Sequence, residues 1–187
     1  MNVFEAIRQR RSIRDFTEKP VPEELIEELL NDAILAPSSS NSQPWAFAII
    51  QDKDMLKKYS DRAKAMQLKA FEGRPDPYNY RERLSDPDFN IFYNARTWII
   101  IYSKSSNILR VGDCCLAAQN LMLSAYARGL GTCWIGFSNL LINDPKFKEE
   151  LEIPEKYQGV APIILGYPKT LPAPTSRKPV EIITWKS

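Results

Sequence analysis

Four short apolar runs constrain this chain most: Ala46–Ile50, Thr97–Tyr102, Gly131–Phe137 and Val160–Leu165. Each is bounded by polar or turn-forming residues and is too short for a core helix, so each reads as a buried strand. The last keeps that reading despite Pro162. Between the runs, apolar residues return at helical spacing. Asn2 and Glu5 form an N-x-x-E start that resembles a capping box, and the helix it opens should run to about Arg10. Pro22 sits at a first helical position with Glu23 and Glu24 in the first turn, and Leu25, Ile26, Leu29, Leu30, Ala33 and Ile34 give that helix an apolar face. Asp52 caps a third helix over roughly residues 53–66. The longest helix, Asn107–Arg128, has so wide an apolar surface that burial on more than one side is expected. Asn143 or Asp144, before Pro145, starts a short helix.

Two stretches lack this patterning. Gly73, Pro75, Pro77 and Pro87 interrupt residues 73–90, a segment that reads either as a lid over a binding site or as a surface excursion. After Gly166 the chain carries Pro168, Pro172, Pro174 and Pro179 and ends in Glu-Ile-Ile-Thr-Trp before Lys186. Such a tail cannot return as helix. It should lie on a surface or pair with an exposed sheet edge, its own or a partner's.

Composition excludes more than it identifies. The 187 residues fit one domain, and no internal repeat divides them. With 25 Lys plus Arg against 23 Asp plus Glu, the net charge of +2 argues against bulk nucleic-acid binding. The N-terminus lacks signal-peptide character, no run is long enough for a membrane span, and Cys114, Cys115 and Cys133 lack CxxC spacing. A reduced cytoplasm is the expected location, with no nucleic acid and no membrane as partner. There is no histidine. That removes Ser-His-Asp and Cys-His nucleophiles, most zinc sites and the usual base near neutral pH, so an enzyme of this sequence would take its chemistry from a cofactor. No metal site is expected.

Three segments carry ligand-like chemistry. Arg8, Arg10, Arg11 and Arg14 place four guanidiniums within seven residues, and they suit either a phosphate or a solvated helix end near Asp15 and Glu18. Ala36–Trp45 reads Ala-Pro-Ser-Ser-Ser-Asn-Ser-Gln-Pro-Trp. Its hydroxyls and amides suit a ligand edge with donors and acceptors, or they satisfy their own backbone. The third is Gly129–Gly136, Gly-Leu-Gly-Thr-Cys-Trp-Ile-Gly. It is no dinucleotide fingerprint, because Trp134 stands where the third glycine belongs and the pair precedes a strand. Cys133 has no histidine to activate it and reads as a packed thiol.

In order, spacing and wording these segments, with Leu165-Gly166-Tyr167-Pro168, resemble the FMN-dependent nitroreductase family from Arg10 to Ser176-Arg177-Lys178-Pro179. The resemblance implies an α+β fold with a central, mostly antiparallel sheet flanked by helices. It also implies an intertwined homodimer with FMN at the subunit interface and the C-terminal tail, residues 167–187, wrapping the partner. By the same resemblance Arg10, Ser12 and the backbone of Arg11 would hold the phosphate and ribityl chain. Arg14 would reach the pyrimidine edge of the flavin, and Arg177 would close on the phosphate. Pro37, Ser38, Ser39, Asn41 and Gln43 would come from the second subunit. Cys133, Trp134, Ile135 and Gly136 would lie along the ring, with the Gly136 N–H near its redox-active nitrogen. Arg96 stands where many relatives have proline, and residues 67–95 match no motif that carries over. The activity implied is transfer of hydride from NAD(P)H through bound flavin to a small-molecule acceptor, a nitro compound or quinone, by ping-pong kinetics and without an obligatory side-chain acid or base. Dehalogenation or flavin-dependent oxidation on the same scaffold, and a flavin-binding sensor without turnover, are the alternatives.

Overall fold

The computed structural model describes residues 2–187. Its centre is a four-stranded sheet of β1 (Trp45–Ile50), β2 (Thr97–Ser103), β3 (Gly131–Trp134) and β4 (Gln158–Gly166), in the order β1-β2-β4-β3. All three ladders are antiparallel. Strand β2 explains why its run is continuously apolar. Trp98, Ile100 and Tyr102 enter one core while Ile99 and Ile101 enter another, so both faces are buried.

The first core lies under α3 (Lys53–Phe71), α4 (Tyr80–Ser85), α6 (Asn139–Ile142) and α7 (Pro145–Glu150). The second lies under α2 (Glu23–Ala33) and α5 (Ile108–Ala127). Helix starts follow their side-chain caps: Asp52 accepts from Met55 N at 2.7 Å, Asn107 from Leu109 N at 2.9 Å, and Asp144 from Phe147 N at 3.0 Å. Helix α1 (Val3–Gln9) opens on Asn2, which accepts from Glu5 N. Helix α5 closes on Gly129 at φ 76°, where Gly129 N bonds Tyr126 O and Leu130 N bonds Ala125 O. These are the paired bonds of a Schellman stop.

Several expectations need correction. Pro22 is the N-cap of α2 and not its first residue. Helix α3 runs past residue 66 to Phe71, because Leu68 and Phe71 still pack on the core. Residues 73–90 contain α4, begun where both Asp76 oxygens accept from Tyr80 N and Arg81 N. Strand β3 stops at Trp134 and not at Phe137. The reason is Pro162, whose carbonyl accepts from Ile135 N at 2.8 Å. In an extended residue N and O point to the same side, so the donor that proline lacks faces β3 where that strand ends. The β2 ladder is spared.

Within one chain α5 buries a single face. Ile108, Leu109 and Leu116 stay exposed, as do Val3, Phe4 and Ile7 of α1. The tail beyond Pro168 has no regular structure and exposes Val180, Ile183 and Trp185.

Two glycines let another segment cross the sheet. Gly131 and Gly166 face each other in the β3–β4 register. A Cβ on Gly131 would meet Ile13 Cγ1 at 2.6 Å, and one on Gly166 would meet Phe16 Cδ1 at 2.8 Å. Gly131→Ala should therefore cost about 1–3 kcal/mol through overpacking. Adding Ile13→Ala should recover part of the loss, which thermal melts of the single and double variants would measure. Equal melting points for wild type and Gly131→Ala would contradict the close approach.

Candidate functional site

The basic segment is pinned to the sheet from two sides. Ser12 forms a parallel bridge with Thr132, and Ile13 N donates to Thr132 O at 2.9 Å. Further along, Thr17 N donates to Tyr167 O and Lys169 N to Asp15 O, both at 2.9 Å. Residues 10–14 are thus extended, and alternation puts Arg10, Ser12 and Arg14 on one side with Arg11 and Ile13 on the other. Ile13 is buried on Gly131. Arg11 folds back to donate to Arg8 O at 2.7 Å and Arg10 O at 2.9 Å, where helix carbonyls carry partial negative charge. Its side chain therefore serves the end of α1, in keeping with a ligand role for its backbone alone.

Arg177 returns from the tail to this cluster. Arg10 is pushed below its ordinary pKa first by burial, then by the neighbouring charges of Arg11 and Arg177. Among the described residues none of Arg10, Arg11, Arg14 and Arg177 has a carboxylate ion-pair partner. Crowded like charges that lack a counter-ion are what an anion site requires.

Cys133 lies beneath this cluster. Burial raises its thiol pKa, against the opposing pull of Arg14, a Ser12 hydrogen bond and Arg10. It is a packed thiol and no activated nucleophile. The chain then leaves β3 through Ile135 and enters a 3-10 turn, Gly136–Ser138, whose first N–H is not used by the turn itself. A cleft of about 550 Å3 opens beside it, lined by Arg14, Cys133, Trp134, Ile135, Gly136 and Phe137.

Of the other wall the sequence offered only a candidate lid over 73–90 and no individual residue. Gln67, Phe71, Tyr80, Arg83, Ile91 and Tyr93 complete the cleft, all from the stretch that matched no motif. The aromatic density of residues 71–93 was the available signal. What it lacked was the placing of α3 and α4, which stack Phe71 on Tyr80 at 6.1 Å and Tyr80 edge-on to Phe137 at 5.1 Å.

The Ser-rich loop lies elsewhere. Ser39 N donates to both carboxylate oxygens of Asp113 at 3.1 and 3.2 Å, and Arg110 donates to Ser39 O and Ser42 Oγ. Ser38 Oγ accepts from Gln43 N, and Asn41 Oδ1 from Gln43 Nε2. Ser40, Asn41 and Gln43 have φ of 54°, 49° and 44°, uncommon for residues other than glycine. Asp113 and Arg110 hold this conformation, and neither was anticipated. Pro37, Ser38, Ser39, Asn41 and Gln43 thus form one loop at the start of α5. Gly129, at the far end of α5 beside β3, is sixteen residues from Asp113, about 24 Å along a helix. None of these five loop residues lines the cleft beside β3.

No helix among the described residues is long and apolar enough to cross a membrane, and no group of three or more metal-ligating side chains occurs there.

Known proteins share this fold. The sequence profile of the nitroreductase family matches residues 7–167. A Methanothermobacter thermautotrophicus protein, provisionally named an NADH dehydrogenase/NAD(P)H nitroreductase, is 32% identical over 92% of this chain and 80% of its own. An iodotyrosine deiodinase of Nematostella vectensis is 25% identical, covering 96% of this chain and 73% of its own. The crystal structure of a nitroreductase with bound FMN from Bacteroides fragilis superposes with a TM-score of 0.80 at 26% identity, over 100% of this chain and 98% of that one. The α+β architecture built on an antiparallel sheet and the match across residues 7–167 agree: this chain belongs to the nitroreductase family.

Proposed function

We propose that this protein is an FMN-dependent oxidoreductase that takes electrons from NAD(P)H and delivers them to a nitro compound or quinone. The observation that carries the reading is the crowding of Arg10 and Arg177 near Cys133, unpaired by any carboxylate among the described residues, with Arg14 lining the cleft beside β3. An FMN molecule fits this chemistry at both ends. Its phosphate would answer the crowding of Arg10 and Arg177, with Ser12 and the Arg11 backbone donating to phosphate and ribityl oxygens. Its ring would lie along Cys133–Gly136, with Arg14 at the pyrimidine edge favouring the reduced anion and the Gly136 N–H as donor to the ring. When bound, FMN supplies hydride carriage between the donor and the acceptor. The chain's residues bind, orient and supply charge.

We infer a homodimer in which Pro37, Ser38, Ser39, Asn41 and Gln43 of one subunit complete the cofactor site of the other. That none of these five residues lines the cleft beside β3 supports this, as do the exposed apolar side chains of α1, α5 and the tail. On this reading residues 1–187 are one domain, 73–90 contribute a lid-like wall of the substrate pocket, and 167–187 wrap the partner. The family resemblance to a deiodinase keeps reductive chemistry on other acceptors as a second reading, which product analysis would separate.

The visible spectrum of the purified protein, followed by anaerobic addition of NADH or NADPH, is the test. Flavin bands that bleach are the expected result. Absence of flavin even after incubation with excess FMN would overturn the proposal.

A further inference from the structure

The cleft holds one cation that the cofactor assignment leaves unused. Arg83, on α4, lines it across from Cys133–Gly136 in the company of Phe71, Tyr80 and Tyr93. Its guanidinium lies 4.4 Å from the Phe89 ring centroid and 5.5 Å from that of Tyr93, and donates to Tyr93 Oη at 3.0 Å. These contacts fix the group in place and leave most of its five N–H donors available. Among the described residues Arg83 has no carboxylate partner, and the cleft lining contains no Asp or Glu.

The platform beneath it is built with some strain. Tyr93 has a φ of 51°, a left-handed conformation that is unusual for an aromatic residue. The turn is closed by Tyr93 N donating to Asn90 O at 2.9 Å and by the Asn90 and Asn94 side chains at 3.1 Å. The resulting ring also meets Arg14, whose guanidinium carbon is 5.8 Å from its centroid. The whole wall is anchored on α3. Buried Lys64 donates to Asp86 O and Phe89 O at 2.6 and 2.9 Å, and Ser60 Oγ accepts from Ile91 N at 3.0 Å.

We propose that Arg83 sets acceptor specificity and that the preferred acceptor is a planar aromatic molecule bearing a carboxylate. Phe71, Tyr80, Tyr93 and Phe137 offer apolar faces to a flat ring, and the guanidinium fork matches a carboxylate. The inference rests on the oxidoreductase reading, because the anion is taken to be the electron acceptor. For a nitro acceptor, NAD(P)H gives up a hydride, a proton comes from solvent, and the nitro group becomes nitroso with release of water. Arg83 binds the acceptor's carboxylate and takes no part in that transfer.

The test uses the FMN-loaded protein with 4-nitrobenzoate and its uncharged near-isostere 4-nitrobenzamide. Wild type should prefer the carboxylate. Arg83→Gln should lose about ten- to hundredfold in kcat/KM on 4-nitrobenzoate, mostly through KM, and change less than about twofold on the amide. Arg83→Lys should restore part of the preference. Titration with unreactive benzoate reads the same site without turnover, and its binding should weaken by a similar factor in Arg83→Gln. An unchanged ratio between the two acceptors, with unchanged benzoate binding, would overturn the proposal. So would a variant that loses NADPH relative to NADH while keeping its acceptor ratio, since that would place the donor's phosphate at Arg83. A protein that reduces no acceptor would defeat the oxidoreductase reading instead, and the benzoate titration would still decide whether Arg83 binds an anion.

Discussion

Arg10→Ala is expected to weaken FMN binding roughly ten- to hundredfold while leaving the ligand-free protein as stable as before, or slightly more so. The two effects have opposite signs for one reason. Without a ligand, Arg10 is partly desolvated and crowded by Arg11 and Arg177, so its charge opposes the folded state. Removing it relieves that repulsion. With a phosphate in place the same charge becomes an asset, and a charged hydrogen bond of about 1.5–3 kcal/mol is lost with it. Since 1.4 kcal/mol is a factor of ten, the affinity range follows. Arginine stays protonated at every usable pH, so any pH dependence should come from the phosphate, whose second proton leaves at about pH 6, and the loss should be largest above that. Arg10→Lys should fall between, keeping the charge and losing the fork. Titration of apo-protein with FMN, followed by flavin fluorescence, measures the affinity, and melts without FMN measure the stability. Should Arg10→Ala and Arg177→Ala both bind FMN like wild type, the phosphate assignment is wrong.

Trp98→Ala is the largest single loss of stability expected in the chain, about 3–5 kcal/mol. Trp98 is completely buried on β2 between Ile50 and Ile164. Its ring centroid is 4.5 Å from Phe92, 5.8 Å from Phe147 and 6.3 Å from Tyr59. Strands on both sides and helices above keep the site from collapsing, so the cavity left by truncation would persist. For a chain of this size each kcal/mol lowers the melting temperature by about 2–4 °C, which makes the shift roughly 10 °C. Trp98→Phe should lose much less. It retains an aromatic face and removes an indole N–H that is buried without a hydrogen-bond partner in the chain. Denaturant midpoints for the two variants decide the matter, and equal losses would mean that ring volume is not what matters there.

Legibility in the sequence followed the range of the interactions involved. All four strands were readable, because burial on both faces leaves continuous apolar runs such as 97–102. The cap at Asp52 was readable too and the start of the short helix was narrowed to Asn143 or Asp144, since each depends on atoms a few residues away. Boundaries failed where a distant partner intervened. The end of β3 is set by Pro162 on β4, and the end of α3 by the core that Leu68 and Phe71 reach.

The site divides in the same way. The charge of residues 10–14, the hydroxyls of 38–42 and the glycines of 129–136 single out candidate segments, each with a second reading that local residues leave open. Gly131 and Gly166 gain their meaning only when Ile13 and Phe16 are seen crossing above them. Asp113 and Arg110 hold the Ser-rich loop from more than seventy residues away. Arg83 and Tyr93 form one platform only through a turn at positive φ, which no residue type at that position announces. The sequence by itself determined that this chain builds strands packed on both faces and that no histidine takes part in its chemistry. Which side chains share the cleft was decided by tertiary structure, because hydrophobic patterning states how deeply a residue is buried and not which distant residue it will face.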